Sequence, residues 1–264
     1  MCALTTAPAF VSTIDWVSAY RFADIEDPAT LRERLYARGQ AAGLKGTVVL
    51  AHEGINLMLA GQAQALNGWL AALMADARFA ALELKRHSTG IFPFGHLRVK
   101  VKPEIIRMNQ PHIRPSATRA PAVDADTLAR WLAQRHCDEG RPLALLDTRN
   151  AFEVDAGAFD GAIDWRLERF GNFPAALATH AQALTGKTVV SYCTGGIRCE
   201  KAALWMQQAG VPHVHQLDGG ILKYFDELPT APGWVGRCVV FDERETVAAP
   251  GLEELRSGSR IEGE

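Results

Sequence analysis

The amino-acid sequence predicts two α/β domains, a small α+β sandwich followed by a domain built on a parallel sheet. Residues 1–115 show strand-like and helical patterns in the order strand, helix, strand, strand, helix, strand. In residues 124–235, short apolar strands alternate with helices, which is typical of a parallel sheet covered on both faces. Between these regions, residues 116–123 contain proline, serine and threonine and indicate a linker.

The elements of the first domain follow from the spacing of its apolar residues. Pro28 at the start, with Leu31 and Leu35 about one turn apart, predicts a helix over 28–42. We expect a second helix over 62–75 and strands over 14–21, 46–51, 55–60, 82–87 and 97–106. This order is that of a ferredoxin- or acylphosphatase-like α+β sandwich with one open sheet face.

The second domain alternates strands and helices more regularly. We expect strands over 143–146, 188–192 and 213–217 and helices over 124–136, 173–183 and 199–209. Asp124 is a candidate N-cap for the first of these helices. Gly219 and Gly220 precede one more short helix. Residues 236–264 are assigned to a C-terminal tail, and its acidic end is typical of irregular structure.

Composition limits the classes of function. The chain has 264 residues, of which 48% are hydrophobic, and a net charge of -2, so any nucleic-acid binding requires a local basic patch. No apolar run approaches the ~20 residues of a membrane helix, and the N-terminus lacks the pattern of a signal peptide. The five cysteines form no CxxC pair. They argue against a disulfide scaffold and for a reducing, cytoplasmic setting.

The strongest sign of chemistry is the segment Tyr192–Cys199, with the sequence YCTGGIRC. An apolar strand leads to Cys193, and a helix follows the two glycines. Glycines let successive backbone N–H groups turn toward the sulfur, and the helix N-terminus and Arg198 add positive potential. We therefore expect Cys193 to be the catalytic residue, with a lowered pKa; a buried structural cysteine is the alternative. The expected cradle for the thiolate or a sulfur-bound anion is Thr194, Gly195, Gly196, Ile197 and Arg198.

The second domain resembles a rhodanese domain. The stretch Leu146-Asp147-Thr148-Arg149 is similar to the motif near the start of that domain, and Leu217-Asp218-Gly219-Gly220 to the motif near its end. As in rhodaneses, four residues separate Cys193 from Arg198, a loop length that suits a persulfide sulfur. Related phosphatases use five residues and usually place histidine before the cysteine, where this chain has Tyr192.

Most of the chain resembles the oxygen-dependent tRNA uridine hydroxylases. The matching stretches lie in both domains and comprise His52–Asn56, Leu97–Ile105, Asp147–Asn150, Cys193–Lys201 and Phe241–Arg244. The resemblance implies a tRNA modification enzyme that converts wobble uridine 34 to 5-hydroxyuridine, with molecular oxygen as co-substrate and Cys193 as the essential residue. The tRNA anticodon loop is then the partner. The sequence identifies no cofactor and no electron source.

Two further interpretations accompany this one. A rhodanese-type sulfurtransferase, which carries sulfur as a persulfide on Cys193, fits the loop equally well. A non-enzymatic RNA-binding module is disfavoured because Cys193 and Arg198 are both present. We expect no metal site, because longer relatives carry a cysteine-rich C-terminal extension whereas this chain has only Cys238 near its end.

A basic segment in residues 82–119 supports binding of RNA. It contains eight Lys or Arg and two Glu, a local balance of +6. On a strand, Arg98, Lys100 and Lys102 share one face and would form a track for RNA phosphates. The solvated outer face of an edge strand is the other interpretation.

Cys199, six residues after Cys193, also has two interpretations. It is either a resolving thiol for a persulfide or sulfenic intermediate or a residue that packs beneath the loop. We assign it an auxiliary role.

Overall fold

The structure, a computed structural model, describes residues 14–89, 92–240 and 245–250. The chain divides into two compact units between Ile105 and Ile106. This boundary lies earlier in the chain than the predicted end of the first domain at residue 115.

The segment after the boundary belongs to the second unit because its apolar residues are buried there. Met108, Ile113 and Ala120 lie in a hydrophobic core of that unit. Ala122 and Val123 form a short strand of its sheet. The stretch predicted as a linker is therefore an ordered part of the second unit.

The first unit is a five-stranded sheet with two helices. Its elements are β1 (Ile14–Phe22), α1 (Pro28–Ala41), β2 (Lys45–Ala51), β3 (Gly54–Gln62), α2 (Ala63–Met74), β4 (Lys85–Thr89) and β5 (Leu97–Val101). The strand order is β4-β1-β3-β2-β5, and only β5 pairs in parallel, with β2. The first six elements have the predicted order, which confirms the α+β sandwich, and β5 extends the sheet at one edge. β5 ends at Val101, earlier than predicted.

Alternation along the strands gives this sheet one helix-covered face. Ile55, Leu57 and Leu59 in β3 are buried in the same core as the helix residue Leu70. Intervening side chains, such as Met58, lie on the opposite face because successive residues of a strand alternate. That helix-free face also carries the basic residues of β5.

The second unit contains helices and mostly short strands. Its elements are β6 (Ala122–Val123), α3 (Ala125–Gln134), β7 (Leu143–Asp147), α4 (Ala151–Ala156), β8 (Gly157–Phe159), β9 (Ile163–Asp164), α5 (Phe173–His180), β10 (Thr188–Tyr192), α6 (Ile197–Gln208), β11 (Val214–Leu217), α7 (Gly220–Glu227), β12 (Trp234–Val239) and β13 (Thr246–Ala248). Five of the strands form a parallel sheet in the order β6-β11-β10-β7-β9. This confirms the parallel α/β domain.

Local signals explain several boundaries in this unit. The Asp124 side chain accepts a hydrogen bond of 2.7 Å from the Thr127 N–H, so Asp124 caps α3 as predicted. α3 ends where Arg135 adopts a left-handed φ of 63°. Every residue of β10 is buried, which explains why its apolar run predicts a strand with the observed bounds.

Part of the predicted C-terminal tail forms strands of a small antiparallel sheet, so the second unit extends past residue 235. β12 pairs with β8 and with β13, so residues 236–239 and 246–248 are strands of the second unit. Residues 241–244 and 251–264, which hold the rest of the tail prediction, lie outside the described residues. Within the described part of the chain, no helix has the length and apolar character needed to cross a membrane.

Candidate functional site

The cysteine loop is positioned by two neighbouring parallel strands. β10 ends at Tyr192, and its carbonyl oxygen accepts hydrogen bonds from Thr148 at the end of β7, 3.0 Å from the backbone N–H and 2.8 Å from Oγ1. This linkage aligns the carboxyl ends of the strands, where ligands of parallel sheets usually bind.

The loop turns into α6 at Gly196. This residue has a φ of 102°, a left-handed conformation that glycine adopts without the steric penalty of a side chain, and it forms the N-cap. α6 therefore begins at Ile197 and not at Cys199 as predicted. Ile197 and Arg198, two members of the predicted cradle, belong to its first turn.

The Cys193 sulfur accepts a hydrogen bond from the loop backbone. The Gly196 N–H lies 3.1 Å from Cys193 Sγ, and Cys199 Sγ lies 3.9 Å from it. Burial raises the pKa of Cys193, which has no solvent exposure, but the hydrogen bond from Cys199, the charge of Arg198 and the backbone amides of Cys199 and Arg198 outweigh this effect. The net result is a pKa well below the ordinary value, so the geometry favours a thiolate at Cys193.

Arg198 is held by the carboxylate of Glu153, a residue of α4. Its two terminal nitrogens donate to Glu153, at 2.6 Å to Oε2 and 2.8 Å to Oε1, and one lies 3.4 Å from Thr194 Oγ1. Both charged side chains are almost completely buried. Burial opposes ionisation of Glu153, but the hydrogen bonds and charge of Arg198 lower its pKa. Arg198 therefore acts on the sulfur through its charge while its hydrogen bonds go elsewhere.

A second buried ion pair joins Arg149 to Asp147. Arg149 donates to Asp147 at 2.6 Å, and neither side chain is exposed to solvent. Arg149 also donates to the carbonyl oxygens of Glu153, at 3.3 Å, and Gly157, at 2.7 Å. These contacts tie the end of β7 to α4, which carries Glu153. The motif Asp147–Arg149 is thus a support for the loop.

The N-terminus of α7 holds the backbone of the loop. The Ile221 N–H donates to the Cys193 carbonyl at 3.0 Å, and the Leu222 N–H to the Thr194 carbonyl at 3.1 Å. Gly220, with a φ of 70°, allows this approach, because a Cβ there would lie 2.4 Å from the Cys193 carbonyl oxygen and 2.7 Å from the Gly196 nitrogen. Gly220 is therefore required by close packing against the loop.

Two charged residues that follow Cys199 are buried, contrary to the usual placement of charges on a helix surface. Lys201 is fully buried and its Nζ donates to the Ile106 carbonyl at 3.1 Å. Glu200 is nearly buried, with its carboxylate 3.5 Å from Arg119. These contacts connect the first turns of α6 to residues 106–119.

The other two described cysteines have different surroundings. The Cys137 sulfur accepts a hydrogen bond of 3.1 Å from Thr188 Oγ1. Cys238, in β12, is fully buried, and its burial raises the pKa of the thiol to about 11. Neither residue belongs to the loop between β10 and α6 that holds Cys193.

The predicted RNA-binding residues lie in the first unit. Arg98 and Lys100 are exposed members of β5 and alternate with Leu97 and Val99, which pack in or against the core. Lys102 is also exposed but lies beyond the end of β5. The structure thus places two of the three predicted cations on one face of a strand and the third beyond its end.

That helix-free face carries cations on other strands as well. The strand register pairs Arg98 with Thr47 and Thr47 with Met58. It also pairs Met58 with Ser18 and Ser18 with Lys85. Residues at paired positions share a face of the sheet. By the same alternation, Lys45 and Lys100 are on this face. The described positions that share it include Ile14, Trp16, Ser18, Tyr20, Phe22, Lys45, Thr47, Val49, Ala51, Asn56, Met58, Ala60, Gln62, Lys85, His87, Arg98 and Lys100, and none of these is acidic.

The described residues 14–89, 92–240 and 245–250 contain no group of three or more His, Cys, Asp or Glu side chains arranged to hold a metal ion. The absence of a metal site stays a prediction.

The two units match two protein families. Residues 14–105 match the family described as UPF0176 acylphosphatase like domain, and residues 128–227 match the family described as Rhodanese-like domain. Among solved structures, the rhodanese-like domain of an Anabaena protein is similar with a TM-score of 0.35 and 21% identity, over 44% of this chain and 79% of that one.

Curated relatives match over both units. The chain is 58% identical to the tRNA uridine(34) hydroxylase of Bordetella avium over 88% of its length and 95% of that protein. It is 59% identical to that of Bordetella pertussis, with coverage of 88% and 95%. It is 57% identical to that of Variovorax paradoxus, with coverage of 88% of each chain.

Proposed function

This chain belongs to the tRNA uridine(34) hydroxylase family, and from that premise we propose that it hydroxylates uridine 34 of tRNA at C5 with molecular oxygen, using Cys193 as the reactive thiolate. The product is 5-hydroxyuridine, and the anticodon loop is the part of the tRNA that the enzyme engages. A tRNA substrate also implies a cytoplasmic enzyme.

The observation that carries this assignment is the environment of Cys193. A Gly196 amide at 3.1 Å and the nearby charge of Arg198 stabilise a negative sulfur inside a buried site. A thiolate is the nucleophilic form of cysteine. Its addition to uracil C6 forms an S–C6 bond and moves electron density to C5, where the hydroxyl group is introduced. After hydroxylation, loss of the C5 proton and release of the thiolate from C6 restore the C5=C6 double bond.

Access to the sulfur places a condition on this mechanism. Cys193 has no solvent exposure, so a nucleobase reaches it only if neighbouring residues move on binding. Bases of the anticodon loop are easily splayed from the stack, which is the usual mode by which enzymes reach a base in RNA.

The helix-free face of the first unit supplies the electrostatic part of the proposal. Lys45, Lys85, Arg98 and Lys100 are distributed over four strands of that face, and none of the described strand positions listed above for this face is acidic. Such a distribution suits a phosphate backbone. A sulfurtransferase acting on a small molecule has no need of such a surface, so this feature favours an RNA substrate.

Nucleoside mass spectrometry of tRNA incubated aerobically with the purified protein and a thiol reductant tests the activity. We expect uridine 34 to gain one oxygen atom with the wild type and with Cys137→Ala, and at least a 100-fold loss with Cys193→Ser. If the wild type leaves the RNA unchanged while Cys193 takes up a sulfur atom from thiosulfate, the sulfurtransferase is correct and the hydroxylase proposal fails.

Salt dependence of tRNA binding tests the basic face. Lys100→Gln and Arg98→Gln each remove one cation, so each variant should weaken binding and reduce the slope of log affinity against log salt by about 0.7 to 0.9. Arg130→Gln, an exposed change in α3, is the control. Unchanged slopes in both face variants would exclude this surface from the interface.

A further inference from the structure

We infer that Cys193 and Cys199 act as a dithiol that supplies the two electrons consumed in each hydroxylation, and that the pair becomes an intrachain disulfide. The inference rests on the proposed function, and it assigns Cys199 as a second redox residue of the same site.

The stoichiometry of hydroxylation sets the requirement. Replacing C5–H by C5–OH with molecular oxygen leaves one oxygen atom on uracil and releases the other as water, which takes up two electrons and two protons. Two thiols that form one disulfide release two electrons and two protons. Uridine, oxygen and the dithiol therefore give 5-hydroxyuridine, water and the disulfide, with atoms and electrons balanced.

The geometry places two sulfurs within reach of each other. Cys193 Sγ and Cys199 Sγ are 3.9 Å apart, and neither residue is exposed to solvent. A disulfide requires about 2.05 Å between the sulfurs, so they must approach by roughly half of their separation. Rotation of the two side chains changes sulfur positions by such amounts, and Gly195 and Gly196 give the intervening backbone additional freedom.

The hydrogen bonds of Cys199 fit a thiol that can change partners. Its Sγ lies 3.1 Å from the Gly196 carbonyl oxygen and 3.9 Å from Cys193 Sγ. Its single S–H proton can be donated to only one of these acceptors at a time. Turning from the carbonyl toward Cys193 brings the second sulfur toward the position where a disulfide forms.

The first experiment measures the disulfide without RNA. The full-length protein is titrated with oxidised glutathione, quenched with acid and digested, and peptides are analysed by mass spectrometry. We expect a Cys193–Cys199 linkage in the wild type and in Cys137→Ala. Failure to form this linkage, in protein that remains folded by circular dichroism, would overturn the inference and leave the proposed function standing.

The second experiment counts electrons. Reduced protein, freed of small-molecule thiols, is mixed with tRNA in air. We expect one 5-hydroxyuridine per chain, two thiols lost per product and no second turnover until dithiothreitol is added. Cys199→Ser should give at least a tenfold lower yield without reductant, recovered in part by added thiol, which a purely structural role would not predict.

The outcomes separate the two proposals. Repeated turnover of the wild type without thiol loss, or an undiminished yield from Cys199→Ser, would overturn the dithiol inference alone. No hydroxylation by the wild type, even with excess dithiothreitol, would overturn the proposed function and the inference with it.

Discussion

Cys193 and Cys238 are both fully buried in the second unit, yet the pKa values of their thiols shift in opposite directions. The pKa of Cys238 is raised to about 11 by burial in β12. At Cys193 burial also opposes the thiolate, but a hydrogen bond from Cys199, the charge of Arg198 and the backbone amides of Cys199 and Arg198 lower the pKa instead. Burial alone therefore makes an inert thiol, and a thiolate requires donors and positive charge arranged around the sulfur.

The largest test of this comparison removes the anchor of Arg198. Glu153→Gln should lower the free energy of unfolding by about 3–5 kcal/mol, because a buried guanidinium loses its counter-charge. Urea denaturation measures this loss.

Asp155→Asn is the matched control, since Asp155 pairs with Arg166 on the surface and lies only two residues along the chain. Exposed pairs contribute little to stability, so the control should unfold almost as the wild type does. Equal losses in the two variants would show that the buried pair does not support the loop.

A smaller effect is expected when the loop backbone is displaced. In Gly220→Ala, the new Cβ would press on the Cys193 carbonyl oxygen and the Gly196 nitrogen. We expect a loss of about 1–3 kcal/mol from overpacking in addition to the strain of a left-handed alanine. The displaced amide should also raise the pKa of Cys193, measured from thiolate absorbance as the difference between variants with and without Cys193.

Gly210→Ala separates strain from the clash. Gly210 has a φ of 84°, but a Cβ there would have no neighbour within 4 Å. This control should share the backbone strain and leave the titration of Cys193 unchanged. A shift of that titration in Gly210→Ala would mean that the close approach at Gly220 is not what holds the amide in place.

The pH dependence of stability should have opposite signs at the two cysteines. Because the pKa of Cys193 is lowered in the folded state, its contribution to the free energy of unfolding is complete above pH 9.0, near the pKa of the unfolded thiol. The contribution is lost as pH falls through the folded pKa. The pKa of Cys238 is raised from 9.0 to about 11, so its contribution is complete below 9.0 and is lost between these values. This loss amounts to about 1.4 kcal/mol per pH unit.

Urea unfolding at a series of pH values checks both signs. The difference between the wild type and Cys193→Ala should grow as pH rises from neutral toward 9.0, because the lowered pKa of Cys193 makes its thiolate part of the folded state. The difference in the free energy of unfolding between the wild type and Cys238→Ala should be constant below pH 9.0 and shrink above it. Parallel curves for the two variants would contradict the contrast between these sites.

Local sequence patterns predicted much of this molecule. The apolar run over 188–192 has the bounds of β10, and Asp124 caps α3 as its residue type indicates. The glycines between Cys193 and Arg198 correctly indicated a backbone amide directed at the sulfur. Patterns of this kind depend on neighbours in the chain, which a single sequence displays.

The errors lie where short segments depend on distant partners. Most of β12 and all of β13 fall in the predicted C-terminal tail, and residues 116–123 in the predicted linker, because each gains its order from contacts with remote strands or a remote core. Short strands carry little periodicity of their own, and their partners are not visible in one sequence.

The amino-acid sequence by itself determined the two-domain order, the strand–loop–helix around Cys193 and the alternation of cations on β5. Only the tertiary structure decided that Glu153 neutralises Arg198 across 45 positions, that Lys201 is buried and that Gly220 must lack a side chain. The physical reason is the separation along the chain over which each effect acts. Periodicity and capping act over a few residues, whereas burial, ion pairing and close packing depend on which distant segments the fold brings together.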